Sequence, residues 1–188
     1  LMVYDIAFGY EVALIIKDGM RRMYQEQEDI FYYLTIQNEN YTHPEQPKGV
    51  EEGVLKGIYL YKKAEDKKAK LRVNLFGSGS IMLGVLEAQK VLAEKYGVAA
   101  DVYSVTSYKN LYTDALACER HNMLNPTEIP KVPFITSALK GGADVTVAAS
   151  DYMKAQSDLI RNWVPGEFHS LGTDGFGRSE SRDALRNF

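Results

Sequence analysis

The spacing of apolar and polar positions divides the chain near its first quarter. Tyr10 to Tyr24 reads YEVALIIKDGMRRMY. Val12, Ile15, Ile16, Met20 and Met23 fall near helical spacing, which predicts an amphipathic helix. Gly19 weakens it locally, at a cost of about 1 kcal/mol against alanine. The run from Ile30 to Ile36 is dense in aromatic and β-branched residues and predicts a strand buried on both faces. Between Gln37 and Gly49 the pattern dissolves into polar residues punctuated by Asn38, Asn40, Pro44, Pro47 and Gly49, which predicts a loop or linker. We place a boundary there, with residues 1–47 as one unit and residues 48–188 as the next.

Beyond the boundary, strand-like and helix-like runs alternate. Residues 57–61, 71–76, 101–105, 134–135, 145–149 and 168–171 read as strands. Residues 83–96, 111–123 and 152–163 read as helices, the third capped by Ser150-Asp151, and Ser179 or Ser181 opens a last helix. Such alternation predicts an α/β fold with a largely parallel sheet covered on both faces and right-handed crossovers.

Composition narrows the field. The chain has 188 residues, enough to bury an ordinary core, and a net charge of -3. No basic face of the kind nucleic acid requires is visible. The lysines around residues 62–70 are interrupted by Glu65 and Asp66 and read as a solvated turn. Cys118 is the single cysteine, so no internal disulfide can form, which fits a reducing, cytoplasmic compartment. The N-terminus lacks the features of a signal peptide, and no run suits a bilayer. The chain opens on Leu1 rather than methionine, from which we expect a piece of something longer.

Candidate chemistry is sparse. Gly77-Ser78-Gly79-Ser80 follows an apolar strand and opens a helix, the setting of a phosphate site. The dinucleotide fingerprint fails, because its last glycine would fall at Met82, so the simpler reading is a tight turn with Ser80 as N-cap. His43, His121 and His169 have no partner at metal-ligand spacing. His121 suits a helix end, whereas His43 lies in a polar loop of the kind that lines crevices in α/β folds or is simply solvated. Cys118 beside Glu119 reads as core packing rather than a nucleophile. Taken alone, these residues describe an α/β domain without an autonomous active site.

The segment Leu171 to Arg182, LGTDGFGRSESR, closely resembles the LGTDGFGRSDSR motif of homodimeric-type pyruvate dehydrogenase E1 enzymes, with Glu180 where the family carries Asp. Phe31-Tyr32-Tyr33 through Asn38-Glu39-Asn40-Tyr41 resembles the family's YYY…NENY segment. Leu75 to Ile81 resembles its LLGSGSI, and Asp101 to Ser107 its DVYSVTS. The looser transketolase superfamily shares only the shape of the last motif.

The resemblance implies a three-layer α/β/α domain of transketolase C-terminal type, with a mostly parallel, mixed sheet, at 48–188 and cut short at its end. A helix–strand remnant of the pyrimidine-binding domain precedes it at 1–47. It implies a cytoplasmic homodimer that decarboxylates pyruvate on thiamine diphosphate with magnesium and reductively acetylates the lipoyl group of an E2 transacetylase, the cofactor carrying the chemistry. The family's G-D-G…N motif and its acid–base histidines are missing, and so is the segment of its pyrimidine-activating glutamate, which belongs upstream of Leu1. No catalytic, cofactor-binding or metal residue is therefore carried over, and this chain alone is expected to bind no cofactor, to be inactive and to support the dimer. Asn38, Glu39, Asn40, Tyr41 and His43 are candidates for the substrate entrance. Asp174, Gly175, Phe176, Gly177, Arg178 and Ser179 are expected to form a structural turn. In it Phe176 enters the core, Gly175 or Gly177 takes a positive φ, Asp174 accepts backbone N–H groups, Arg178 pairs with Asp174 or Glu180, and Ser179 caps a helix. The competing readings are transketolase or a 2-oxoglutarate dehydrogenase E1, which the GTDGFGRS and NENY strings disfavour, and a non-catalytic interaction module.

Overall fold

The computed structural model describes residues 1–38, 40–66, 69–177, 179–181 and 184–185. Its N-terminal unit is a strand–helix–strand crossover. β1 (Met2–Asp5) and β2 (Tyr32–Thr35) pair in parallel, from Met2↔Tyr32 to Asp5↔Thr35. α1 (Gly9–Met20) joins them through one π-helical turn at Arg21–Gln25. β1 was not anticipated: four residues carry too little periodicity to identify a strand without its partner. β2 is not buried on both faces as expected, because Phe31, Tyr33 and Ile36 remain exposed. A two-stranded sheet has no second layer on that side to cover them.

The second unit is a five-stranded sheet in the order β3-β5-β4-β6-β7. The strands are β3 (Tyr59–Lys62), β4 (Leu71–Gly77), β5 (Val98–Ser104), β6 (Val145–Met153) and β7 (Glu167–Thr173). The edge strand β3 runs antiparallel to β5, and the other pairs are parallel. Helices α3 (Ile81–Tyr96) and α4 (Tyr108–Leu124) are the long crossovers, and the short helices are α2 (Glu51–Lys56), α5 (Phe134–Ala138) and α6 (Lys154–Asp158).

Successive residues of a strand face opposite sides. Accordingly Phe76 and Tyr103 join Leu111, Ile135, Ile160 and Phe168 under α4 and α5, whereas Leu75 and Val102 join Met82 and Val85 of α3. That second layer also contains Ala7 and Phe8, so the N-terminal unit completes the core on the α3 side. A third cluster joins Tyr4, Ile6 and Ile15 to Val50, Val54 and Tyr59 through α2, a helix not anticipated in the linker region.

Two assignments are corrected. Residues 134–135 are not a strand but the start of α5, where Asp114 Oδ2 accepts the otherwise free Phe134 N–H at 2.7 Å. A two-residue apolar run cannot reveal its period. The helix expected over 152–163 is confined to α6 and a 3-10 turn at Arg161–Trp163. Sheet pairing wins over helix capping here: after an irregularity β6 pairs again with β7 at Met153↔Thr173, so Ser150 and Asp151 lie within the strand.

Candidate functional site

The connections from β4 and β6 leave in opposite directions, to β5 and to β7. In open α/β sheets the crevice outside the carboxyl ends of such strands is where ligands bind. Gly77 to Ser80 lies there, at the N-terminus of α3, with Gly79 at φ +51°. The place is filled by the protein's own side chains. A Cβ at Gly79 would lie 2.9 Å from Gln37 Nε2 and 3.1 Å from Asp5 Oδ1. Thr35 Oγ1 donates to Asp5 Oδ1 at 2.7 Å, and Gln37 Nε2 donates to Asp151 Oδ2 at 3.2 Å. Ser80 occupies the N-cap position, yet its hydroxyl makes no cap bond. It bonds to Gln37 Oε1 and approaches Asp151 Oδ2 at 3.2 Å. Asp5 is 8% exposed. Burial pushes its carboxyl up, against the hydroxyls of Thr35 and Ser78, and the charge of Asp151 adds to the rise. A carboxylate thus sits where an anionic ligand would bind.

The second polar centre is Glu11, which sequence reasoning passed over. It is 0% exposed. Its Oε2 accepts the N–H groups of Ala7 and Phe8 at 2.6 and 3.0 Å. Its Oε1 accepts the hydroxyls of Tyr59 and Ser104 at 2.6 and 2.7 Å. Tyr10 extends the chain of hydroxyls through Tyr59. Burial pushes the Glu11 carboxyl up, and the four donors oppose that rise. One carboxylate therefore ties the first turn of α1 to β3 and β5. An acidic residue at the third position of a helix was the available signal, as half of a capping box.

The polar loop folds back onto α1. Tyr41 Oη donates to the Ala7 carbonyl, its ring packs on His43 at 4.9 Å, and His43 Nδ1 accepts the Gly9 N–H at 3.1 Å. Asn38 and Asn40 are exposed, and Glu39 lies outside the described residues. Tyr41 and His43 are therefore brought together at the helix start, where an imidazole serves one of the unpaired N–H groups.

The structural reading of the last motif needs correction. Phe176 is 105% exposed, and neither Gly175 nor Gly177 has a positive φ. β7 ends at Thr173, so the turn projects past the sheet edge, where no layer faces it. Asp174 pairs with Lys154 at 2.6 Å instead of serving backbone N–H groups. Ser181 accepts a following N–H, from Ala184 at 3.4 Å, and Arg178 lies outside the described residues.

The remaining reactive groups are accounted for. Cys118 is buried, and burial, then the Asp114 charge, push its thiol up. His121 and His169 lie 3.2 and 3.5 Å from Glu128 and Glu167. A cavity of about 310 Å³ beside Tyr4 is lined by Arg21 and Arg22, which are already paired with Asp18 and Glu28 at 2.7 and 2.6 Å. Among the described residues no three His, Cys, Asp or Glu side chains come together to hold a metal. No described helix is long and apolar enough to cross a membrane. The chemistry at hand is that of a joint between two units.

Residues 57–188 match the family model of the transketolase-like C-terminal domain, and residues 1–44 match that of the pyruvate dehydrogenase E1 component middle domain. The chain is 51% identical over 98% of its length to the pyruvate dehydrogenase E1 component of Pseudomonas aeruginosa, covering 21% of that protein. Identity to the component of Escherichia coli K12 is 50%, over 98% of this chain and 20% of the relative. For that of Mycolicibacterium smegmatis it is 46%, over 100% of this chain and 20% of the relative. The chain thus spans about a fifth of these relatives (20–21%). With the fold, the sheet order and both matches in agreement, the chain belongs to the transketolase-like C-terminal domain family, preceded by a segment of the pyruvate dehydrogenase E1 middle-domain type.

Proposed function

We propose that this chain is the C-terminal region of a pyruvate dehydrogenase E1. Residues 1–47 are the end of the pyrimidine-binding middle domain and its linker, and residues 48–188 are the transketolase-type domain. The observation that carries this reading is identity near 50% to proteins of that name across 98% of the chain, through both family segments. In the whole enzyme the activity would be decarboxylation of pyruvate and reductive acetylation of a lipoyl group on E2, in a cytoplasmic homodimer. The exposed Ile16, Met20, Phe31, Tyr33 and Ile36 support a longer parent, since they leave large apolar side chains uncovered on a unit whose two-stranded sheet is too small to be stable alone.

The residues present do not fit thiamine diphosphate. The glycine turn at Gly77 to Ser80, which the sequence offered as a phosphate site, carries Asp5 against Gly79, and a carboxylate there repels phosphate oxygens. In this reading the cofactor and its magnesium bind to other segments of the enzyme, and the role of this chain is to support the dimer and wall the entrance. Asn38, Glu39, Asn40, Tyr41 and His43 would lie near that entrance. Two experiments test the proposal. Calorimetric titration of the chain with thiamine diphosphate and magnesium should show no binding below millimolar; micromolar binding would contradict it. Exchanging this chain for the matching region of the Escherichia coli relative should give an enzyme that still forms acetyl groups on E2 from pyruvate. A folded but inactive chimera would reject the assignment.

A further inference from the structure

The joint between the two units holds a smaller cavity of about 210 Å³ beside Asp5, lined also by Thr35, Tyr108, Lys109, Tyr152 and Gln156. Tyr108 is 2% exposed, and its Oη has no hydrogen-bond partner among the described residues. A buried hydroxyl left unpaired costs about 1–3 kcal/mol, so such groups ordinarily have a partner. Tyr108 and Asp5 sense each other, since burial and then the Asp5 charge push the phenol up, yet no bond joins them. On the other side of the joint Ser78 repeats the pattern. Its buried hydroxyl faces Asp5 and holds that carboxyl down, but it forms no bond of ordinary length.

Charge selects the ligand. Neither Asp5 nor Asp151 forms an ion pair among the described residues. The neighbours of Asp151 are the neutral side chains of Gln37 and Ser80. Lys109, which also lines the cavity, donates to the Leu1 carbonyl, and Lys154 pairs with Asp174. Asp5, buried in the joint, therefore has no ion-pair partner among the described residues, and the exposed Asp151, outside the cavity lining, adds to its negative field. The orphaned donors around Asp5 are hard oxygens, which suit a hard cation. One carboxylate among hydroxyl oxygens, with no imidazole or thiol in the lining, is a poor set for a transition metal and a sufficient one for a single positive charge.

We infer that the cavity between Asp5 and Tyr108 binds a monovalent alkali cation, which neutralises the buried Asp5 carboxylate and fastens the N-terminal unit to the sheet. A simple bridging water is the competing occupant, and it would leave Asp5 uncompensated.

The test is thermal unfolding of the full chain at constant ionic strength in potassium, sodium or choline chloride. Binding to the folded state alone raises the midpoint by mass action. A rise of about 3 °C or more from choline to potassium or sodium is expected for a chain of this size. Tyr108→Phe, which keeps the ring and the packing, should lose most of that rise while keeping its midpoint in choline. Asp5→Asn should abolish it. Crystals soaked in a thallium salt should show an anomalous peak between Asp5 and Tyr108. Equal midpoints in all three salts, a rise that survives Tyr108→Phe, or density for water without anomalous signal would each overturn the inference.

Discussion

Glu11 shows how much a single residue can hold when it is buried with all its acceptors used. Glu11→Ala would strand the N–H groups of Ala7 and Phe8 and the hydroxyls of Tyr59 and Ser104. We expect a loss of about 3 kcal/mol or more, measured by urea unfolding. Tyr59→Phe removes one bond to the carboxylate and should cost about 2 kcal/mol; an unchanged midpoint for both variants would show that the network contributes nothing. Phe176→Ala is the opposite case. Its ring is fully exposed, so the midpoint should stay within about 0.5 kcal/mol of the parent chain. Asp158 adds a pH dependence. The Ser170 hydroxyl, then Arg161, lower its carboxyl, so its contribution is present above the unfolded value and lost as pH falls through the folded one. Asp158→Asn should therefore destabilise by about 0.5 kcal/mol at neutral pH, the worth of an exposed pair, and by nothing near pH 2.

Among the elements, the turns fix where strands begin. Gly97 ends α3 at φ +63° with open space around it, whereas Gly166, at φ +79°, leads into β7 against the backbone of Asp144. A Cβ at Gly166 would meet Asp144 O at 2.0 Å. Alanine at Gly97 should cost about 1 kcal/mol, the price of a left-handed residue alone. Alanine at Gly166 should cost clearly more, because the turn itself must move. Equal costs in denaturant melts would show that the contact with Asp144 is easily relieved. The same logic explains α6: the continued pairing of β6 with β7 consumes residues whose local pattern favours a helix.

For the molecule as a whole, the two units are joined through two apolar clusters and through the polar contacts of Asp5 and Glu11. Ala7 and Phe8 pack with Leu75, Met82 and Val102, and Glu11 and Asp5 reach the strand ends nearby. A chain lacking residues 1–47 should therefore expose this face of the sheet. Strong binding of an apolar dye and association on size exclusion are expected; a monomeric, dye-free species would show that the second unit is self-sufficient.

The sequence by itself determined the α/β class, because strand and helix periods alternate from Leu71 onward and each long run exceeds one turn or one pleat repeat. It also determined the family resemblance, through the motifs at 31–41, 75–81, 101–107 and 171–182. Only the tertiary structure decided what those motifs touch. Whether Gly77 to Ser80 receives a phosphate depends on what lies across from it, and Asp5, more than seventy residues earlier, is what lies there. Glu11 looks like a surface acid in the first turn of a helix until Tyr59 and Ser104 close over it. Phe176 looks like core until the sheet ends at Thr173 beneath it. Burial depends on partners distant in sequence, and no local period encodes them.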